Sequence, residues 1–143
     1  MSEQNGKYLY KKVMVVDDSE ADRYVASYNI KRYCFAEEVI VKESARGALE
    51  YLKSSAGTPE NLPHYIFLDI RMPEIDGFAF LEEYEKLPEA VRKNCIIMML
   101  SSSLNPEDHQ RAEQNKFVNR FLNKPLDKEK LETLAQLAVQ SNP

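Results

Sequence analysis

VMVVDDSEADR, residues 13–23, opens on four apolar side chains in a row and stops at two acids. A strand with one wet face alternates apolar and polar residues. An unbroken apolar run suits a strand buried on both faces, as in a parallel sheet. The pattern recurs at Glu38–Val41 and at Tyr65–Leu68, which Asp69 closes. It recurs again at Cys95–Leu100, closed by Ser101-Ser102-Ser103, and at Phe117–Leu122, closed by Asn123-Lys124-Pro125.

Helical signals separate these runs. Ser19, with Asp22 three residues on, caps a helix whose predicted buried face is Ala21, Tyr24, Val25 and Tyr28. Ser44 caps a second, with Ala45, Ala48, Leu49 and Leu52 on one face. Gly77–Leu87 reads as a third, which Pro88 ends or restarts for one turn. Asn105-Pro106 opens a fourth that is almost wholly polar, with Asn as cap and Pro in the first turn. Asp127 caps the last, carrying Leu131, Leu134, Ala135 and Ala138. Strand and helix alternating five times predicts a doubly wound α/β fold, a five-stranded parallel sheet with five helices on its two faces. One domain spans residues 11–140, and residues 1–10 read as a polar leader. Only four residues follow Val139, so no output domain is expected.

Composition narrows the partners. The chain has 143 residues, 43% apolar and 29% charged, with a net charge of −4 and a pI near 5.3. The basic clusters are as short as Lys11-Lys12 and Lys31-Arg32. Nucleic acid is therefore not an expected partner. No apolar run is long enough to span a membrane, and the first residues lack the apolar core of a secretory signal. Cys34 and Cys95 form no paired motif and read as free thiols, which fits a cytoplasmic location.

In open parallel sheets, ligands bind beyond the carboxyl ends of the strands. Those ends carry Asp17 and Asp18, then Asp69, Ser101 and Lys124. Three carboxylates brought together without a cation repel one another. Carboxylates suit Mg²⁺, and the absence of His and Cys argues against zinc. A cation, an ammonium and a hydroxyl around one carboxylate can surround a phosphoryl group, and the carboxylate itself can accept it.

Four blocks, VMVVDDSEADR, IFLDIRMPEIDGF, IIMMLSSS and FLNKP, together resemble the response-regulator receiver domain of two-component signalling, over residues 11–140. The resemblance implies a flavodoxin-like sheet of order 2-1-3-4-5 with Asp69 as phosphoacceptor. It implies Mg²⁺ held by Asp17, Asp18, Asp69 and the main-chain carbonyl of Arg71. Ser101, Ser102 and Lys124 would bind the phosphoryl oxygens. Ser101 and Phe121 would form the switch, and Pro73, Gly77 and Pro125 would shape the loops, the Lys124–Pro125 bond being cis. Where the family often has tyrosine, Phe121 lacks a hydroxyl, so coupling through it would rest on packing alone. The implied donor is a sensor histidine kinase or a His-phosphotransfer protein. The implied output is a protein contact on the 105–139 face, with a downstream target or a second copy. Such a chain would be no enzyme beyond turnover of its own acyl phosphate.

Two alternatives share these residues. An Mg²⁺-dependent acyl-phosphate hydrolase needs a second acid two residues after the nucleophile, where this chain has Arg71. A degenerate receiver acting only as a scaffold would be expected to lack one of the acids or the lysine, and all are present.

Overall fold

The computed structural model describes residues 7–140, with side chains described to 137. Five strands form one parallel sheet: β1 (Tyr10–Val16), β2 (Ala36–Lys42), β3 (Tyr65–Leu68), β4 (Ile96–Ser101) and β5 (Val118–Asn123). Their order is β2-β1-β3-β4-β5, as expected. Both faces are covered. Val13, Val15, Tyr65 and Phe67 pack beneath α1 (Glu20–Arg32) and α6 (Lys128–Gln140). Met14, Val16, Ile66, Leu68, Ile97 and Met99 face α2 (Ala45–Ser54), α3 (Gly77–Tyr84), α4 (Glu89–Arg92) and α5 (Pro106–Gln114). The period-two alternation of a strand sends neighbouring apolar residues into opposite cores, which is why the runs are unbroken.

The described residues hold six α-helices rather than five, and a 3₁₀ turn at Pro59–Asn61. The extra helix comes from Pro88, which is extended at φ −55, ψ 147 and restarts the chain as α4. Proline has no N–H to continue α3 and clashes with its preceding turn. Strand β1 also takes in the last residue of the expected leader. Tyr10 opens β1, and its ring stacks on His64 at 4.3 Å. Residues 1–6, and the side chain of Ala138, lie outside the described residues.

The buried face of α1 differs from expectation. Ala26 and Ile30 face the sheet, while Ala21, Tyr24, Val25 and Tyr28 are exposed, Tyr24 by 69%. A tyrosine hydroxyl buried without a partner costs about 1–3 kcal/mol. Outside, the Tyr28 hydroxyl accepts from Arg32 at 3.2 Å, and the two tyrosine rings stack at 6.0 Å. Counting tyrosine as a core residue gave the wrong face.

Helix α5 is held as thinly as its sequence predicts. Asp108 and Ala112 are its buried residues. No helix among the described residues is long and apolar enough to cross a membrane. Cys34 and Cys95 are free thiols.

Candidate functional site

The sheet order reverses between β1 and β3, and that crevice is where an open α/β sheet takes ligands. The backbone N–H of Asp69 donates to the Val16 carbonyl at 3.0 Å, which fixes the end of β3 against the end of β1. Asp17, Asp18 and Asp69 thereby bring carboxylate oxygens within 4.8 Å of one another. Asp17 and Asp69 are buried and Asp18 is exposed. The Ser19 N–H donates to Asp17 Oδ1 at 2.9 Å, and Arg23 Nη1 donates to the Asp17 carbonyl at 2.9 Å. Ser19 also caps α1 by accepting from the Asp22 N–H.

Lys124 enters from the end of β5. Its N–H donates to the Ser101 carbonyl at 3.0 Å, which ties β5 to β4. Its ammonium lies 2.7 Å from Asp17 Oδ2, 2.7 Å from Asp22 Oδ2 and 3.4 Å from Asp69 Oδ2. The peptide bond from Lys124 to Pro125 is cis.

One ammonium does not balance three acids. Burial, then the charge of Asp17, pushes the Asp69 carboxyl up to about 6, although Lys124 and the Ile70 N–H pull the other way. Burial acts to lower the pKa of Lys124, but hydrogen bonds to Asp17 and Asp22 and the charge of Asp69 outweigh it and raise it. A trio of oxygen ligands, two of them buried, short of positive charge and without thiol or imidazole, fits a hard divalent cation.

The loop after Asp69 is shaped by its backbone. Gly77 does not use a positive φ. A Cβ there would lie 2.5 Å from the Asp69 carbonyl oxygen and 3.0 Å from Ile70 Cα, so glycine is needed for close approach. The left-handed residue is Glu74, φ 68, just after the exposed Pro73. It centres a γ-turn closed by the Ile75 N–H on the Pro73 carbonyl at 2.7 Å.

Ser101 is buried, and its Oγ accepts from the Ser103 N–H at 3.1 Å. Ser102 is exposed and lines a cavity of about 330 Å³ with Asp22, Lys124 and Pro125. Phe121 stands apart from the acids. Its ring lies under His109, centroid to centroid 4.0 Å. His109 Nε2 is 3.0 Å from the Ser103 carbonyl; a carbonyl only accepts, so Nε2 is the donor. The ring without a hydroxyl therefore packs on a polar neighbour, and that neighbour is hydrogen-bonded at the β4 end. Arg71 sends its guanidinium away from the acids to buried Asp108, at 2.6 Å, and Ser103 Oγ donates to the same carboxylate at 2.7 Å.

Asp22, Ser103, Asp108 and His109 were not marked by the sequence. Asp22 reads as a cap partner, and the separation of 37 positions from Arg71 to Asp108 gives no spacing signal.

Comparison with known proteins agrees with this geometry. The family model for the response regulator receiver domain matches residues 13–136. Response regulator Rcp1 of Synechocystis is 30% identical over 116 residues, covering 80% of this chain and 76% of that protein. The crystal structure of a response regulator receiver protein from Dyadobacter fermentans superposes with a TM-score of 0.79 at 31% identity, covering 89% of this chain and 96% of that one. The receiver domain of the histidine kinase CKI1 from Arabidopsis thaliana, complexed with Mg²⁺, gives 0.77 at 27% identity, covering 92% and 94%. Against full-length CKI1 the chain spans only 11% of that protein. The sheet order, the acidic trio with its lysine and the match over residues 13–136 agree: this chain belongs to the response regulator receiver domain family.

Proposed function

We propose that this chain is a phosphoryl-accepting switch in which Asp69 takes the phosphoryl group from a phosphohistidine of a histidine kinase or His-phosphotransfer protein. One observation carries the reading: Asp69 is buried at the end of the central strand, within 4.8 Å of Asp17 and Asp18 and 3.4 Å from Lys124. An Asp69 oxygen forms the new bond to phosphorus, the nitrogen–phosphorus bond of the donor breaks, and the imidazole leaves with a proton from solvent. Asp17, Asp18, Asp69 and the Arg71 carbonyl would hold Mg²⁺, which when bound neutralises the carboxylates and the incoming phosphoryl oxygens. Lys124 supplies a fixed positive charge beside the acceptor, and Ser102 lines a cavity with Lys124. Arg71 has no carboxylate to protonate a leaving group, and its side chain is paired with Asp108, which weighs against a hydrolase.

The output in this reading is the 105–139 face, offered to a downstream protein or a second copy, in the cytoplasm. Its support is the light anchoring of α5 and the direct run from Ser101 through Ser103 to Asp108 and His109. When Ser101 Oγ turns toward a phosphoryl group it leaves the Ser103 N–H, and the hydrogen bonds at Ser103 carry that change to α5 and Phe121.

The test is incubation with acetyl phosphate and Mg²⁺, followed by intact mass. One phosphoryl group is expected, lost when the metal is chelated. Labelling indifferent to metal, or none at saturating acetyl phosphate, would overturn the reading.

A further inference from the structure

Asp22 is an N-terminal residue of α1 whose backbone and side chain do different work. The backbone N–H donates to the Ser19 cap at 3.2 Å. The side chain crosses to β5 and takes a hydrogen bond from Lys124 at 2.7 Å, between residues 102 apart in sequence. Lys124 thus lies closer to Asp22 than to Asp69, the residue proposed to carry the phosphoryl group. The ammonium is displaced toward α1.

The two residues that hold it there are not equivalent. The Asp17 side chain is 3% exposed, and its other oxygen is taken by the Ser19 N–H. It cannot leave. The Asp22 side chain is 44% exposed and reaches in from the rim of the 330 Å³ cavity. Water can solvate it once it lets go. The hold of Asp22 on Lys124 is therefore the one that can be given up at small cost.

We propose that Asp22 is a positioning residue that parks Lys124 toward α1 and competes with the phosphoryl group for it. The proposal rests on the reading of Asp69 as phosphoacceptor. A phosphoryl group on Asp69 draws the ammonium toward its oxygens and away from Asp22. The carboxylate of Asp22 also repels the added negative charge. Both effects weaken the phosphorylated state, so Asp22 tunes how readily the site takes and keeps the group. The first turn of α1 is freed when the switch is on.

The experiment compares the parent with Asp22→Asn and Glu20→Gln. Glu20 and Asp22 are both acidic residues of the same first turn, but Asp22 alone of the two pairs with Lys124. The probe is beryllofluoride with Mg²⁺, titrated by the change in amide spectra. Asp22→Asn should bind it roughly two- to fivefold more tightly, the range for a partly exposed ion pair, and Glu20→Gln should match the parent. Unchanged or weaker binding in Asp22→Asn would overturn the proposal, the weaker case showing that Asp22 aims Lys124 at the phosphoryl group. Equal tightening in both variants would also overturn it, since general charge would then explain the effect.

A second arm needs no phosphoryl chemistry. In metal-free protein, Lys124 labelling by an amine-reactive ester, read by peptide mass, should rise in Asp22→Asn and stay at the parent level in Glu20→Gln. Unchanged labelling in Asp22→Asn refutes the parking itself. Increased labelling, with no variant binding beryllofluoride, refutes the phosphoacceptor reading and leaves the parking standing.

Discussion

Replacing Asp69 by asparagine should make the metal-free protein more stable at neutral pH, although it removes the residue proposed to accept the phosphoryl group. The carboxyl is pushed up to about 6 from an ordinary 3.8, with burial as the largest cause and Asp17 next. Its side chain is 8% exposed, so water screens little of this. The folded state holds the proton more tightly than the unfolded chain. The stability this gives is fully present below about pH 4 and is lost as pH rises through about 6. At pH 7 the loss is about 3 kcal/mol. Lys124 does not titrate in this window, because its raised pKa keeps it charged throughout. Asparagine has the same shape and no charge to lose. The assay is urea unfolding followed by circular dichroism, from pH 4 to 7.5 in metal-free buffer. Asp69→Asn should exceed the parent by about 3 kcal/mol at pH 7, with the gap closing near pH 4. Equal stabilities at pH 7, or a gap that widens toward pH 4, would refute the account of a strained acidic cluster.

Three further outcomes follow from the same geometry. Mg²⁺ should stabilise the parent by about 2.7 kcal/mol at one hundred times its Kd, and Asp18→Ala should abolish this in thermal melts. Gly77→Ala should cost about 1–3 kcal/mol in urea unfolding, because the new Cβ meets the backbone of Asp69 and Ile70, which cannot swing aside as the Met99 methyl can. Beryllofluoride should change amide exchange most within residues 101–122. Lys124→Ala should fold and be phosphorylated yet lose that response, and His109→Ala should lose it in 117–122 alone.

Much of the fold was legible because strand ends carried it. The apolar runs of β1 and β3 stop on acids, and β4 stops on hydroxyls, so both the sheet and the edge that holds the candidate site could be read together. What escaped the reading was whatever depends on a second dimension. Tyrosine periodicity on α1 matched a buried face, but hydroxyl solvation turns that face outward. Gly77 was marked as a loop residue and does meet the Asp69 backbone closely, but the left-handed turn is made by Glu74, which no pattern marked. Asp22 with Lys124, and Arg71 with Asp108, pair across distant segments, and no local pattern encodes such a meeting. Nor did any pattern mark His109 as the ring on which Phe121 packs.

The central claim is that Asp69 alone becomes an acyl phosphate. Borohydride reduces an acyl phosphate to the alcohol, which marks the residue permanently. Protein treated with acetyl phosphate and Mg²⁺, reduced and digested, should show homoserine at position 69 and at no other aspartate, and Asp69→Asn should show none. Homoserine at Asp17 or Asp18, or a reduced site that persists in Asp69→Asn, would contradict the account.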